Sequence, residues 1–283
     1  MKRVIVTGAG GFIGRALVRL LEEKGIEVLR LTHDNILNDR KALNGGGIDA
    51  CYHLAWQGVD SAKKNAVDIQ LENVRYAMKV LETAHEAGCK KFIGIGSAAE
   101  YSLAETVMDF SKKQTPIDLY GACKSAAYYI LQTMALQFNM PFMWVIMPNI
   151  YGPENKNQDI LMYTIKNILE EKELSYGSLD NQWEFLHVED AARGLYLLGD
   201  KGVPGKVYGI GTGEFHPLRY YVETTIRCMD LNKTYLEGNK KSLKKGCCVD
   251  NTDMVQDTGF RTEYSFEEGI RSVIEWYRQE SKK

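Results

Sequence analysis

Residues 2–14 read KRVIVTGAGGFIG, and this stretch decides the fold. Its short apolar run predicts a strand, and the glycines that follow predict a tight turn into a helix over residues 12–24. Gly8 and Gly11 let backbone amides approach a pyrophosphate at the helix start, while Gly14 allows the helix to pack closely on the strand. A glycine-rich turn without a ligand is the alternative interpretation. The context of strand, turn and apolar helix favours a dinucleotide site.

The rest of the chain alternates strands with helices. Apolar runs separated by helical stretches lie at residues 4–6, 28–31, 51–54, 92–95 and 142–147. This alternation predicts an α/β fold with a doubly wound parallel sheet. We expect residues 1–150, with 187–212 returning to them, to form a dinucleotide-binding domain. Residues 151–186 and 213–283 are expected to form a smaller C-terminal substrate-binding lobe, with the reaction in the cleft between the two.

A second motif, YGACK, occupies residues 120–124 in a run that reads as a helix. Tyr120 and Lys124 are four residues apart, so their side chains project from one helical face. A lysine cation beside a tyrosine is expected to lower the phenol pKa from ~10 and let it exchange protons near neutrality. Only Tyr120, of sixteen tyrosines, has a lysine four residues on, although a chance pair of surface neighbours is the alternative.

Together these motifs resemble the extended short-chain dehydrogenase/reductase superfamily, in its nucleotide-sugar epimerase, dehydratase and ketoreductase branch. The resemblance extends over nearly the whole chain. Further segments that carry it are HLAW at 53–56, Asn73, IGSAAEY at 95–101, PNIYGP at 148–153 and FLHVEDAARG at 185–194. It implies a Rossmann-type fold and an NAD(P)-dependent enzyme. The residues expected to bind the cofactor are Gly8, Gly11, Phe12, Ile13, Thr32, His33, Leu54, Ala55, Asn73, Tyr120 and Lys124.

Ser97 follows the apolar run at 92–95, where a turn former or a helix cap is the ordinary interpretation. The resemblance implies more, because similar enzymes use a serine or threonine four residues before a tyrosine to hold the reacting sugar oxygen. In that scheme Ser97 orients the oxygen, Tyr120 donates a proton to it, and Lys124 holds the cofactor ribose and tunes Tyr120. These three residues are the predicted catalytic group.

The next two residues, Ala98 and Ala99, bear on the type of reaction. Similar dehydratases typically carry an acidic pair there, and alanine has no proton to give or take. Glu100 is one position too far on and is expected to face away. Reduction of a 4-keto nucleotide sugar is therefore favoured, with a nucleotide-sugar 4-epimerase that retains NAD as the alternative. A dinucleotide sensor without chemistry would have no need of the YGACK motif.

The residue at the end of the second predicted strand indicates whether the cofactor is NAD or NADP. NAD enzymes commonly place a carboxylate there for the ribose 2′-hydroxyl, and this chain has Thr32. A 2′-phosphate would not be repelled at this position, and Arg15, Arg30 or His33 could pair with it, although each could be an ordinary solvated side chain. The sequence thus favours NADP, while Asp34 leaves NAD as the alternative.

Substrate recognition is predicted to involve Ser97, Tyr120, Asn149 and Trp183. The resemblance implies that Asn149 contacts the nucleotide diphosphate, although a cleft-forming turn is an equal interpretation. Trp183 stands where similar proteins have an arginine, and Ile146 replaces a second one. Loss of these bidentate phosphate ligands argues against ordinary UDP-sugar recognition. His187 is expected to be a core residue.

Composition excludes several other classes of protein. The formal charge of −2 gives no basic surplus for nucleic acid, and no apolar stretch reaches the ~18 residues that span a bilayer. Six cysteines without CxxC spacing favour reduced thiols over disulfides or a metal site. We therefore expect a soluble cytoplasmic protein without a metal. The resemblance also implies a homodimer formed by the helices over residues 73–87 and 120–137.

Overall fold

The computed structural model describes residues 1–32, 43, 46–101, 107–230, 234–237 and 248–281. His33, which was predicted to bind the cofactor, and Asp34 lie outside the described residues. The described strands, numbered in chain order, are β1 (Arg3–Thr7), β2 (Glu27–Leu31), β3 (Ala50–His53), β4 (Phe92–Ile95), β5 (Val107–Met108), β6 (Phe142–Ile146), β7 (Asn149–Tyr151), β8 (Leu174–Tyr176), β9 (Gln182–Trp183), β10 (Phe185–His187), β11 (Val207–Gly209), β12 (His216–Pro217), β13 (Tyr235–Glu237) and β14 (Cys248–Val249).

The described α-helices follow the apolar periodicity of the sequence. They are α1 (Phe12–Glu23), α2 (Val67–Glu86), α3 (Leu119–Gln137), α4 (Ile160–Leu169), α5 (Val188–Lys201), α6 (Leu218–Cys228), α7 (Thr252–Thr258) and α8 (Phe266–Glu280). A single-turn 3₁₀ helix, Ala98–Tyr101, lies between β4 and β5.

Six parallel strands form the central sheet, in the order β2-β1-β3-β4-β6-β11. The chain runs from β1 outward to β2 and then crosses to β3 on the other side of β1. This reversal is the topological switch point of a doubly wound sheet, where ligands bind beyond the strand carboxyl ends. Thr7 and His53 end the two strands in register, and their side chains are hydrogen-bonded at 2.8 Å. The predicted α/β parallel sheet is confirmed.

Apolar side chains fill both faces of this sheet. On one face α2 and α3 pack against the sheet around Trp144, and on the other α1 and α5 pack around Tyr52. Both aromatic side chains are almost completely buried. Strands covered on both faces explain the continuous apolar runs in the sequence.

A third apolar cluster lies among α4, α6 and α8. Its buried members come from residues 151–185 and 221–274, and include Ile165, Val222 and Ile270. These residues all belong to the ranges predicted for the smaller C-terminal lobe. The boundaries of the two lobes stay a prediction.

No helix in the described ranges combines the length and apolar character needed to cross a bilayer. Five cysteines are described, all of them buried with free thiols: Cys51, Cys89, Cys123, Cys228 and Cys248.

Candidate active site and cofactor cleft

The glycine turn after β1 is shaped by close backbone contacts. Gly8 has φ +69°, and a Cβ on it would lie 2.7 Å from the backbone nitrogen of Ala55. A Cβ on Gly14 would overlap the Gly8 carbonyl oxygen and lie 2.9 Å from its carbon. Only glycine therefore fits these positions, because any side chain would push α1 or the loop after β3 away from the turn.

The turn leaves the start of α1 open for an anion. Gly11 is the N-cap residue, its extended backbone offers no side-chain cap, and the first turn carries no acidic residue. The first amides of a helix lack intrahelical acceptors and lie at the positive end of its dipole. This cradle fits the pyrophosphate of a dinucleotide, as the sequence predicts.

Two adjoining clefts meet at Gly8 and Trp56. The larger, about 840 Å³, lies between the ends of β1 and β2 and helix α2, and its lining includes the predicted residues Gly8, Thr32, Ala55 and Asn73. The second, about 570 Å³, runs from the start of α1 toward β7, and its lining includes the predicted residues Gly8, Gly11, Phe12, Ile13, Leu54 and Asn149. Each cleft has the volume of an ordinary small-molecule site, and together they extend across the switch point.

Asn73 and Gln70 hold the loop that forms the wall between these clefts. The buried Asn73 amide accepts a hydrogen bond from the Gln57 nitrogen and donates one to the Gln57 oxygen, both at 2.9 Å. Gln70 Oε1 accepts from Trp56 Nε1 at 2.9 Å. Helix α2 thus fixes the Trp56 indole, which the sequence reasoning did not assign to the site.

The structure brings the predicted catalytic residues together at the carboxyl end of β4. Ser97 lies next to Tyr120, where hydrogen bonding by its side chain acts to lower the Tyr120 pKa. Lys124 Nζ donates to the Ile95 oxygen at 2.7 Å and lies 3.8 Å from the centroid of the Trp56 ring. Tyr120 and Lys124 are both buried.

The start of α3 sets the position of Tyr120. The Asp118 carboxylate caps the helix by accepting from the Gly121 nitrogen at 2.8 Å. A Cβ on Gly121 would lie 2.5 Å from the Ala99 oxygen. The missing side chain therefore lets this helix lie against the turn that follows Ser97.

The expected effect of the lysine on Tyr120 is wrong for this structure. Burial raises the pKa of Tyr120 to about 12, against the lowering effect of the Ser97 hydrogen bond. Burial also holds the pKa of Lys124 well below its usual range, and the negative charge of Glu100 opposes this shift. The lysine ammonium group is directed at Ile95 and Trp56, so removal from water outweighs the adjacency of the two side chains.

Glu100 was expected to face away from the site, and this is also wrong. The carboxylate is completely buried and accepts a hydrogen bond from the backbone nitrogen of Ser97. The 3₁₀ turn over residues 98–101 breaks the strand alternation on which the expectation was based. Gly94 and Gly96 are the sequence signal for this packing, since the space of their missing side chains is filled by Trp144.

The two arginines named as possible partners of a 2′-phosphate already have partners in the chain. Arg30 lines the larger cleft and pairs with Glu22 at 2.6 Å. Arg15 pairs with Glu154 at 2.7 Å and donates to the Gly10 oxygen. Of these two arginines, Arg30 is the one that lines the same cleft as Thr32.

Of the two remaining predicted substrate residues, Asn149 lines a cleft and Trp183 does not. The exposed Asn149 is on the second cleft and donates weakly to the Glu184 oxygen at 3.5 Å. Trp183 is half-buried, packs on the third apolar cluster, and is absent from the lining of both clefts. His187 is buried, and its ring caps α5 by accepting from the Glu189 nitrogen at 3.4 Å, which fits the core role expected for it.

Known proteins share this sequence pattern and fold. The chain is 27% identical over 330 residues to the probable dTDP-glucose 4,6-dehydratase of Sinorhizobium fredii (strain NBRC 101917 / NGR234), covering 97% of this chain and 92% of the relative. UDP-glucuronic acid 4-epimerase from Bacillus cereus, in complex with UDP-glucuronic acid and NAD, superposes with a TM-score of 0.86 at 21% identity, covering 98% of this chain and 99% of that one. RMD from Pseudomonas aeruginosa, complexed with NADPH, gives 0.84 at 18% identity, covering 99% of both chains.

The two solved structures show the shared fold. The family itself is shown by a sequence model, described as the NAD dependent epimerase/dehydratase family, which matches residues 4–211. This range contains the glycine turn, the loop after β3, Ser97 and the Tyr120–Lys124 pair. The chain therefore belongs to the NAD dependent epimerase/dehydratase family and is an NAD(P)-dependent enzyme of the extended short-chain dehydrogenase/reductase type.

Proposed function

We propose that this enzyme is an NADP-dependent reductase of a 4-keto nucleotide sugar. The observation that carries the proposal is the half-buried Ser97 next to the buried Tyr120, with Ala98 and Ala99 following Ser97 in the chain. The pair can hold and protonate a carbonyl oxygen. The neighbouring alanines offer no acid or base for eliminating water from the sugar, in contrast to the activity named for the Sinorhizobium fredii relative.

Reduction of a ketone to an alcohol requires a hydride on carbon and a proton on oxygen. A reduced nicotinamide cofactor, when bound, would supply the hydride and so the two electrons of the reduction. Tyr120 donates the proton, and Ser97 hydrogen-bonds the same oxygen and fixes its position. Lys124, one helical turn after Tyr120 on α3, would hold the nicotinamide ribose.

Burial raises the pKa of Tyr120 to about 12, so the phenol carries its proton at neutral pH. In this form Tyr120 can serve as the proton donor that a reduction requires.

The cofactor is proposed to lie across the two clefts. Gly8, Gly11, Phe12 and Ile13 would bind its pyrophosphate through the glycine turn and the start of α1. The adenosine half would lie in the larger cleft, against Thr32, Ala55 and Asn73, with Leu54 near the nicotinamide half.

The preference for NADP is based on two residues that line the larger cleft, Thr32 and Arg30. Thr32 brings no carboxylate to the end of β2, and Arg30 lies on the same cleft. A ribose 2′-phosphate is therefore not repelled by the residue at this position. RMD, a structural neighbour, is complexed with NADPH, whereas the Bacillus cereus epimerase is complexed with NAD.

The alternative function is a nucleotide-sugar 4-epimerase with retained NAD. Its support is the fold shared with a UDP-glucuronic acid 4-epimerase. Asn149 and Trp183 remain the proposed nucleotide-sugar contacts under either function, and Asn149 has the stronger case because it lines the cleft beside the glycine turn.

The test is an assay of cofactor consumption with a panel of substrates. We would prepare 4-keto-6-deoxyhexoses linked to thymidine, uridine, cytidine and guanosine diphosphate with separate dehydratases, and follow NADPH by its near-ultraviolet absorbance. The proposal expects NADPH loss in proportion to an alcohol product with at least one nucleotide. Interconversion of UDP-glucose and UDP-galactose without net NADPH loss would refute it and favour the epimerase. Mass spectrometry of copurified nucleotides would identify the retained cofactor independently.

We also propose that α2 and α3 form a homodimer interface in the cytoplasm. Helix α2 exposes Val67 and Leu71, and α3 exposes Tyr129 and Leu136. Light scattering of the wild-type protein should give twice the monomer mass, and Leu136→Glu should shift it toward the monomer.

A further inference from the structure

Glu100 is a buried carboxylate surrounded by hydrogen-bond donors. Its Oε1 accepts from the Ser97 nitrogen at 2.7 Å, and its Oε2 accepts from Gln114 Nε2 at 2.7 Å. Trp144 Nε1 lies 3.3 and 3.2 Å from the two carboxylate oxygens. Burial raises the pKa of Glu100 to about 7, and the Ser97 hydrogen bond, the Lys124 charge and the Trp144 hydrogen bond oppose this shift. A charge removed from water is costly unless it is paired and hydrogen-bonded, so these neighbours stabilise the ionised form.

The neighbouring backbone is shaped to admit this group. A Cβ on Gly96 would overlap both Glu100 Oε1 and Trp144 Nε1, and a Cβ on Gly94 would overlap the Trp144 ring. The backbone oxygen of Glu100 also accepts from the Thr115 nitrogen at 2.8 Å. Through Ser97 and Gln114 the carboxylate is connected to the end of β4 and to the loop before α3.

The charged and titratable groups around Glu100 come from several elements. Helix α3 presents Lys124, Tyr120 and Tyr128, and the 3₁₀ turn presents Tyr101; burial raises the pKa of each of these tyrosines. Beyond Lys124, burial lowers the pKa of His53 to about 3, so this ring is neutral at neutral pH. Lys124 donates to the Ile95 oxygen and Glu100 accepts from the Ser97 nitrogen, so the two side chains are held at the same strand end. There the negative charge of Glu100 opposes the fall in the Lys124 pKa that burial causes.

We propose that Glu100 is a positioning residue of the active site, which holds the Ser97 backbone in place and supplies the negative charge that balances the buried Lys124 ammonium group. Without this carboxylate the Ser97 amide would lose its acceptor and the ammonium group its counter-charge. A buried charge without a partner is strongly disfavoured, so the lysine would lose its proton at lower pH. The inference deepens the proposed function, because it assigns the support of two of its proposed catalytic residues.

The test is the pH dependence of NADPH binding, measured by nicotinamide fluorescence with NADH in parallel. If protonated Lys124 holds the ribose, binding weakens above the pH at which the lysine deprotonates. Glu100→Gln keeps the size and an acceptor for Ser97, and the Gln114 amide can rotate to accept from it. In Glu100→Gln we expect the midpoint pH, at which NADPH binding begins to weaken as Lys124 deprotonates, to fall by about one unit. At pH values above the midpoints of both proteins the variant should bind NADPH about tenfold more weakly than the wild type, with little difference below them.

Three variants make the result specific. The exchange variant Glu100→Gln/Gln114→Glu returns a carboxylate to the same cluster and should restore the wild-type midpoint. Glu184→Gln changes another buried glutamate, which accepts from Thr212 and Val249, and should leave the midpoint unchanged. Lys124→Met should abolish the midpoint.

An unchanged midpoint in Glu100→Gln would overturn the inference, as would a midpoint that persists in Lys124→Met. If Glu100→Gln does not fold, the exchange variant decides, because a wild-type midpoint supports the charge role and a lowered one refutes it. The binding assay needs no sugar. Failure of every 4-keto sugar in the substrate panel would therefore refute the proposed function while leaving this result intact.

Discussion

Replacement of Gly14 by alanine tests the cofactor cradle directly. Gly14 lies in the first turn of α1, and a Cβ there would overlap the Gly8 carbonyl oxygen. It would also lie 2.9 Å from the Gly8 carbonyl carbon and 3.0 Å from Ala9 Cα. Carbon atoms prefer a separation of about 3.5 Å or more, so α1 must move by roughly half an ångström or more.

This movement should cost both stability and cofactor affinity. Overpacking of this kind destabilises proteins by about 1–3 kcal/mol. Since each kcal/mol lowers the melting temperature by about 2–4 °C in a chain of this size, Gly14→Ala should melt roughly 2–12 °C below the wild type. The displaced helix also carries the amides proposed to bind the pyrophosphate. A loss of about 1.4 kcal/mol there corresponds to about tenfold weaker NADPH binding.

Thermal unfolding and NADPH fluorescence titration measure the two effects. Gly10, in the same turn, is the local control for stability, because no heavy atom lies within 4 Å of a Cβ built on it. Gly10→Ala should unfold within about 0.5 kcal/mol of the wild type. If Gly14→Ala melts with the wild type and binds NADPH equally tightly, α1 does not meet the glycine turn as described and the cradle is misassigned.

Three further substitutions address catalysis, capping and pH dependence. Tyr120→Phe should lower kcat on the reduced sugar by about 10²–10⁴-fold in steady-state assays, because it removes the proton donor, and unchanged turnover would exclude this acid. Asp118→Ala removes the cap of Gly121 and should cost about 1 kcal/mol in urea unfolding, whereas Asp118→Asn should retain most of it. Lys90 lowers the pKa of Asp49 to about 2, so the stabilisation is complete above the unfolded pKa of 3.8 and is lost as pH falls toward 2. Asp49→Asn should therefore be less stable than the wild type at pH 7 in chemical denaturation, and a gap that fails to close between pH 4 and 2 would contradict this assignment.

The fold was predictable because its signals are local. The glycine turn at 8–14 and the apolar runs on either side of it report short-range geometry and burial on both sheet faces. The strand order then follows from the short, right-handed connections of parallel sheets. The positions of Gly8, Ser97 and Tyr120 at strand and helix ends could therefore be inferred before the structure was known.

The surroundings of those residues were not predictable in the same way. Trp144 lies far from Glu100 in the chain, and their contact depends on the absence of side chains at Gly94 and Gly96. A glycine within a strand indicates a close approach without naming what approaches. The position of Trp56 likewise depends on Gln70, a polar residue on a different element.

The Tyr120 pKa expected from its four-residue separation from Lys124 differs from the pKa that the folded surroundings produce. A separation of four residues predicts attraction between a phenolate and an ammonium group, yet burial disfavours the charged form of each by up to ~3–5 pKa units when it is complete. In this fold Lys124 donates to the Ile95 carbonyl and lies over Trp56, and the groups acting on the Tyr120 pKa are Ser97, Glu100 and Asp118. Desolvation therefore dominates, and the phenol keeps its proton. A protonated tyrosine beside a serine hydroxyl can donate to a carbonyl oxygen, and this protonation state follows from burial, which helix periodicity alone does not reveal.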